Sequence, residues 1–239
     1  MTRTPVASGK DDVMPDHEST TSKVGDPFDD DPSRLVMIDD ESWWRRAADV
    51  LDDDGCVVIP TDTVYGLAAR ADRPEAVARL QRIKGRREDF PPPVMVAEPE
   101  DAWGLVDEIP PTAHRLARAF WPGPLTLILA TSRAGVGLSE LTGSIGLRIP
   151  DHVGLRRLLA VTGPLAVSSA NRHGQPAATT SGQAISQLGT EVGLYVDGGP
   201  TPGPAPSTVV DCRGATPVIL RVGLLGAERI MTVSVGRDA

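Results

Sequence analysis

From Met1 to about Leu35 the chain has no hydrophobic period and is rich in Asp, Ser, Thr, Pro and Gly; regular patterning starts at Glu41. Within SWWRRAADVLDDDG, Trp44, Ala47, Ala48 and Leu51 recur at the intervals of an amphipathic helix, with Gly55 as its stop. CVVIP is a short, fully apolar run that reads as a buried strand. RPEAVARLQRIKG places Ala76, Val77, Leu80 and Ile83 on one helical side, between Pro74 at the start and Gly85 at the end. VMVA, LTLILA, IGLRI, PLAVSS, LYVD, STVVD and PVILRV follow as strands; DAWGLVDEI, TAHRLARAFW, VGLRRLLAV and SGQAISQLG follow as helices. This mixed order predicts an α/β fold, a twisted mixed sheet with flanking helices. The expected organisation is a disordered acidic extension over residues 1–40, one domain over 41–232 and a flexible tail over 233–239.

Charge changes this picture only at the N-terminus. The chain carries a net −8, and residues 1–44 hold four basic against eleven acidic residues, a net of −7. The remainder is close to neutral, so the acidity says little against an anionic substrate. No apolar run approaches the length of a membrane span and no apolar leader opens the chain, which predicts a cytoplasmic protein without membrane contact. Cys56 and Cys212 sit in apolar strands without metal-ligand spacing and read as buried, reduced thiols.

The common chemical signatures are missing: no GxxxxGK[ST], no GxGxxG opening a helix, no HExxH and no CxxC. His17, His114, His152 and His173 are scattered, and no Ser-His-Asp triad is supported. Four clusters do concentrate chemistry. IPTDTVYGL crowds hydroxyls, a carboxylate and a phenol at the mouth of a buried strand, where a plain turn would use Gly, Pro or Asn. KGRR holds Lys84, the one lysine after residue 23 in a chain with 21 arginines and three lysines. A point charge for phosphate and compensation of the helix dipole are both open readings of it. AVSSANRHGQPAATT delivers small hydroxyl and amide groups to a strand end, as a ligand site or as a loop of turn formers. VDGGPTPGPAPSTVVD forms a Gly- and Pro-shaped loop ahead of Ser207 and Thr208. Arg148 in GLRIP and Arg221 in ILRVG each place a cation in an apolar strand, where it needs a carboxylate or a bound anion.

Taken in order, PTDTVYGL, KGR, GLRIP, SSAN with its GQP and threonines, DGG, PSTVVD and ILRVG resemble the YrdC family of threonylcarbamoyl-AMP synthases across the domain. The resemblance implies a sheet folded around a deep cavity. It implies condensation of L-threonine, bicarbonate and ATP to threonylcarbamoyl-adenylate with release of pyrophosphate, magnesium accompanying the ATP. A downstream tRNA-modifying transferase would consume the product. By the same resemblance Thr61, Thr63 and Tyr65 shape the threonine end, with Arg148 toward threonine and bicarbonate or the nucleotide. Lys84 and Arg86 are the catalytic charges and hold the triphosphate; Ser168, Asn171, Ser207 and Arg221 bind ATP. Asp62 either carries magnesium or caps its own turn.

The run REDFPPPVMV after KGR departs from the family pattern, and the additional C-terminal domain of longer members is not expected here. Two alternatives compete. One is an RNA-binding or ribosome-assembly factor, or direct tRNA contact, against which stands a near-neutral domain poor in aromatic residues. The other is a carbamoyl-phosphate-using maturation protein, against which stands the lack of cysteine pairs.

Overall fold

The computed structural model describes residues 1–2, 32–85, 91–131 and 143–236. Along the chain run β1 (Leu35–Met37), α1 (Trp43–Asp52), β2 (Val57–Ile59), β3 (Gly66–Arg70), α2 (Pro74–Lys84), β4 (Val94–Met95), α3 (Pro99–Trp103) and α4 (Pro111–Phe120). Then come β5 (Leu125–Ala130), β6 (Ser144–Arg148), α5 (Val153–Thr162), β7 (Leu165–Ser169), α6 (Ser181–Leu188), β8 (Leu194–Asp197), β9 (Thr208–Asp211), β10 (Val218–Arg221) and α7 (Ala227–Ser234). All ten strands form one mixed sheet in the order β1-β8-β2-β3-β7-β4-β6-β5-β9-β10. Among the described residues no helix is long and apolar enough to cross a membrane.

The fully apolar strand runs are explained by burial on both faces. In β2, Val57 and Ile59 pack with Trp43 and Leu51 of α1 and Leu155 and Leu158 of α5. Val58, between them, packs with Leu80 of α2 and Ala184 of α6. β8 alternates the same way, Leu194 and Val196 toward the first group and Tyr195 toward the second. A third cluster joins Leu125, Leu127 and Leu129 of β5 and Ile145 and Leu147 of β6 to residues of α3, α4 and α7.

Several expectations shift. The sheet starts at Leu35, ahead of residue 41, because β1 pairs with β8, and α7 carries regular structure to Ser234, past 232. The bulk of the 1–40 extension, residues 3–31, lies outside the described residues, as do residues 237–239. α1 ends at Asp52, and Asp54 takes the left-handed turn at φ 56° two residues after the helix, before Gly55 is reached. DAWGLVDEI is helical only as far as Trp103; Gly104 ends the helix and a turn then buries Val106. GLAAR, whose alanines carry little strand signal, is a central strand, β3. It runs so close to β7 that a Cβ on Gly66 would lie 2.7 Å from Val167 Cγ1.

Candidate functional site

The faces of β5, β6 and β9 alternate in chemistry as well as in direction. Leu125, Leu127, Ile145, Leu147 and Val210 turn into the third core cluster. Thr126, Ile128, Ser144, Gly146, Arg148 and Val209 turn the other way and line a cavity of about 630 Å³. The turn after β2, the end of α2, the end of β7 with the loop that follows it, the loops before and after β9 and the end of β10 complete its walls. Such a volume falls within the usual range for small-molecule sites. Four cations, Lys84, Arg148, Arg213 and Arg221, line it, and no carboxylate does so among the described residues.

The density of polar groups in PTDT is used first to hold the turn itself. Thr61 Oγ1 donates to Val64 O at 2.7 Å and accepts from the Thr63 backbone N at 3.0 Å. With Thr61's proton committed, Thr63 Oγ1 donates to Thr61 Oγ1 across their 2.9 Å contact and accepts from Arg148 Nη1 at 3.2 Å. Thr61 thereby has its hydroxyl fully occupied, while Thr63 keeps one lone pair toward the cavity. Arg148 also donates Nε to Gly123 O at 3.1 Å and Nη2 to Asp62 Oδ1 at 2.6 Å. Burial pulls the Arg148 guanidinium downward; the Asp62 carboxylate opposes this and Arg221 adds to it. Asp62 Oδ2 is buried with no hydrogen-bond partner among the described residues.

Tyr65 lines the cavity, and its hydroxyl is held by Gly198 and Gly199, which do not line it. The phenol donates to Gly199 O at 2.7 Å and accepts from Gly198 N at 3.1 Å, tying the strand to the DGG loop. Burial raises its pKa.

Lys84, the last residue of α2, is buried and donates Nζ to Ser169 O, to Asn171 O at 2.9 Å and to Asn171 Oδ1 at 3.5 Å. The Lys84 carbonyl in turn accepts from His173 N at 2.8 Å. Helix end and strand end are therefore one unit, and compensation of its own helix dipole does not describe this lysine. Asn171 spends both amide protons on Arg172 O and Gln175 O, folding the loop. Ser168 and Ser169 both line the cavity. Ser207 Oγ meets Thr126 Oγ1 at 2.9 Å and accepts from Arg221 Nη2 at 3.2 Å, and Arg221 Nε donates to Ser207 O at 3.1 Å.

Of the residues singled out in the sequence, Thr61, Thr63, Tyr65, Lys84, Arg148, Ser168, Asn171, Ser207 and Arg221 meet around one cavity. Arg86 and the residues at 87–90 of the REDFPPP run lie outside the described residues. Ser169, part of the SSAN cluster, also lines it, and so do Thr126, Ser144 and Arg213, which were not anticipated. The signal for Thr126 was a hydroxyl within the otherwise apolar run LTLILA. Among the described residues no cluster of three or more His, Cys, Asp or Glu is placed to hold a metal ion.

The Sua5/YciO/YrdC family profile, described as telomere recombination, matches residues 49–223. A Mycobacterium tuberculosis protein provisionally named a threonylcarbamoyl-AMP synthase is 46% identical over 184 residues, 77% of this chain and 84% of that one. The Bacillus subtilis threonylcarbamoyl-AMP synthase is 36% identical over 191 residues, 79% of this chain and 55% of that one. Among solved structures, Pyrococcus abyssi Sua5 complexed with L-threonine matches with a TM-score of 0.79 at 35% identity, over 85% of this chain and 60% of that one. Escherichia coli YciO matches with a TM-score of 0.72 at 25% identity, over 82% of this chain and 97% of that one. With the profile taking in every strand from β2 to β10, the chain belongs to the Sua5/YciO/YrdC family.

Proposed function

We propose that this protein is an L-threonylcarbamoyladenylate synthase, joining L-threonine, bicarbonate or CO2, and ATP with release of pyrophosphate. The observation that carries the reading is a cavity lined by four cations and small hydroxyls, without a lining carboxylate among the described residues. Such a lining suits the threonine carboxylate, the carbamate and the triphosphate, anionic groups that would otherwise repel one another. The names of the relatives and the threonine-bound Pyrococcus structure support the same assignment.

In this reaction the nucleophiles belong to the substrates. The threonine amine bonds to the carbon of CO2 and sheds a proton, giving a carbamate. A carbamate oxygen then bonds to the α-phosphorus as the bond to the departing pyrophosphate breaks. The protein's task is alignment and charge neutralisation. Arg148, with Thr63, would fix the threonine and carbamate end; Arg221 and Ser207 would take anionic oxygens. Lys84 would act from beneath, holding the Ser169–Asn171 turn and lending its charge to the phosphates. Arg86 is assigned to the same phosphates on sequence alone. Magnesium would arrive with ATP as part of the substrate, and the adenylate would pass to a tRNA-modifying transferase in the cytoplasm.

The test is pyrophosphate release by purified protein with ATP, magnesium, bicarbonate and L-threonine, run beside omissions of threonine and of bicarbonate. Release that needs both, with the adenylate mass in the mixture, is the expected result. Folded protein that binds ATP and releases nothing would refute the assignment.

A further inference from the structure

Thr126 is 2% exposed, and its neighbours Leu125 and Leu127 are wholly buried on the far face of β5. A hydroxyl in that position is costly unless it is hydrogen-bonded. Its partner among the described residues is the Ser207 hydroxyl at 2.9 Å, and the pair lines the cavity. The Thr126 methyl lies toward β6, where a Cβ on Gly146 would sit 3.5 Å from it, so the side chain's orientation is set on both sides.

Counting protons gives the pair a function. Each hydroxyl has one proton and two lone pairs. One of the two protons lies between the oxygens; the other has no acceptor among the described residues. Arg221 Nη2 already occupies one Ser207 lone pair. If Thr126 donates to Ser207, both Ser207 lone pairs are filled and the Ser207 proton faces the cavity. If Ser207 donates, the Thr126 proton faces it. Either way one O–H donor is presented beside the Arg221 guanidinium, and the matching group is an oxygen that only accepts, a carboxylate or a phosphate.

We infer that Thr126 and Ser207 act as a single hydrogen-bond donor to an anionic substrate oxygen, which makes Thr126 a further binding residue of this site. The nature of the anion rests on the synthase reading; the donor pair does not.

The experiment uses the full chain and the variants Thr126→Val, Thr126→Ser and Ser207→Ala. L-Threonine, ATP and tripolyphosphate are titrated separately by calorimetry, with unfolding midpoints as a check on folding. Thr126→Val is expected to weaken one ligand class about tenfold or more, as for a lost hydrogen bond to a charged group. Loss confined to threonine identifies the carboxylate, and loss shared by ATP and tripolyphosphate identifies the phosphates. Thr126→Ser should stay within about threefold of wild type, and adding Thr126→Val to Ser207→Ala should cost little more than Ser207→Ala alone. If the valine variant does not fold, Thr126→Ala is read the same way. Wild-type affinity for all three ligands in Thr126→Val, or no binding by the wild type itself, would overturn the inference. Binding that follows the expected pattern without any pyrophosphate release would retain the donor pair and discard the synthase.

Discussion

Asp62 anchors Arg148: Oδ1 accepts from Nη2 at 2.6 Å, the two side chains are only 11% and 4% exposed, and Asp62 Oδ2 has no hydrogen-bond partner among the described residues. Removing one member of such a pair strands the other charge. Arg148→Ala should therefore lower stability by about 3 kcal/mol, besides losing turnover. Replacing both, as Asp62→Asn with Arg148→Met, should recover part of that loss in urea unfolding. A double variant as unstable as Arg148→Ala would show that the stranded carboxylate is not the cause.

Lys84 serves three oxygens of one turn from a single nitrogen. A planar guanidinium cannot converge on three acceptors around a point. Lys84→Met and Lys84→Arg are both expected to cut pyrophosphate release at least ~100-fold, the scale of losing one preorganised charge. Substantial turnover in folded Lys84→Arg would leave only its charge, and not its geometry, in the argument.

The Tyr65 hydroxyl bridges Gly198 N and Gly199 O, neither of which lines the cavity. Tyr65→Phe should cost roughly 1–2 kcal/mol through the unpaired backbone groups. Threonine affinity should change less than stability does, which calorimetry beside thermal unfolding can decide.

His152 caps α5 by accepting from Leu155 N at Nδ1, 3.1 Å away. Burial holds its pKa below the ordinary histidine value, against the opposing charges of Asp62 and Asp151. The unfolded chain thus takes up this proton before the folded one does. Stability should fall as pH drops below about 6.5 and level off once the folded imidazole is itself protonated. His152→Asn keeps a capping acceptor and should flatten the melting temperature between pH 7.5 and 5.5. An unchanged slope would place the titration elsewhere.

Burial pushes both thiols, Cys56 and Cys212, up to about 12. A thiol reagent at pH 8 should label neither in the folded protein and both in denaturant. Rapid native labelling would mean that β2 or the end of β9 opens readily.

Periodicity marked α2, α4, α5 and α6, because each helix buries one apolar side. It missed β3, whose small residues are chosen for close approach to β7 rather than for strand propensity. The cavity residues were legible where polar groups clustered, as in PTDT and SSAN. Thr126 and Ser144 were hidden because a single hydroxyl on a strand gives no sign of which face is open. Nor could composition tell that the Asn171 amide folds its own loop and the Tyr65 hydroxyl holds the distant DGG loop, since that depends on partners 4 and 134 residues away in the chain.

The Lys84 ammonium joins atoms 85 and 87 residues apart, and the Arg148–Asp62 and Tyr65–Gly199 contacts span 86 and 134. Closing such long loops is deferred until the sheet that pays their entropy is assembled. The cavity is therefore expected to form only as the sheet assembles. A partly folded chain, or a fragment cut anywhere between residues 66 and 168, is expected to lack a usable site, and activity and complete folding should appear together during refolding.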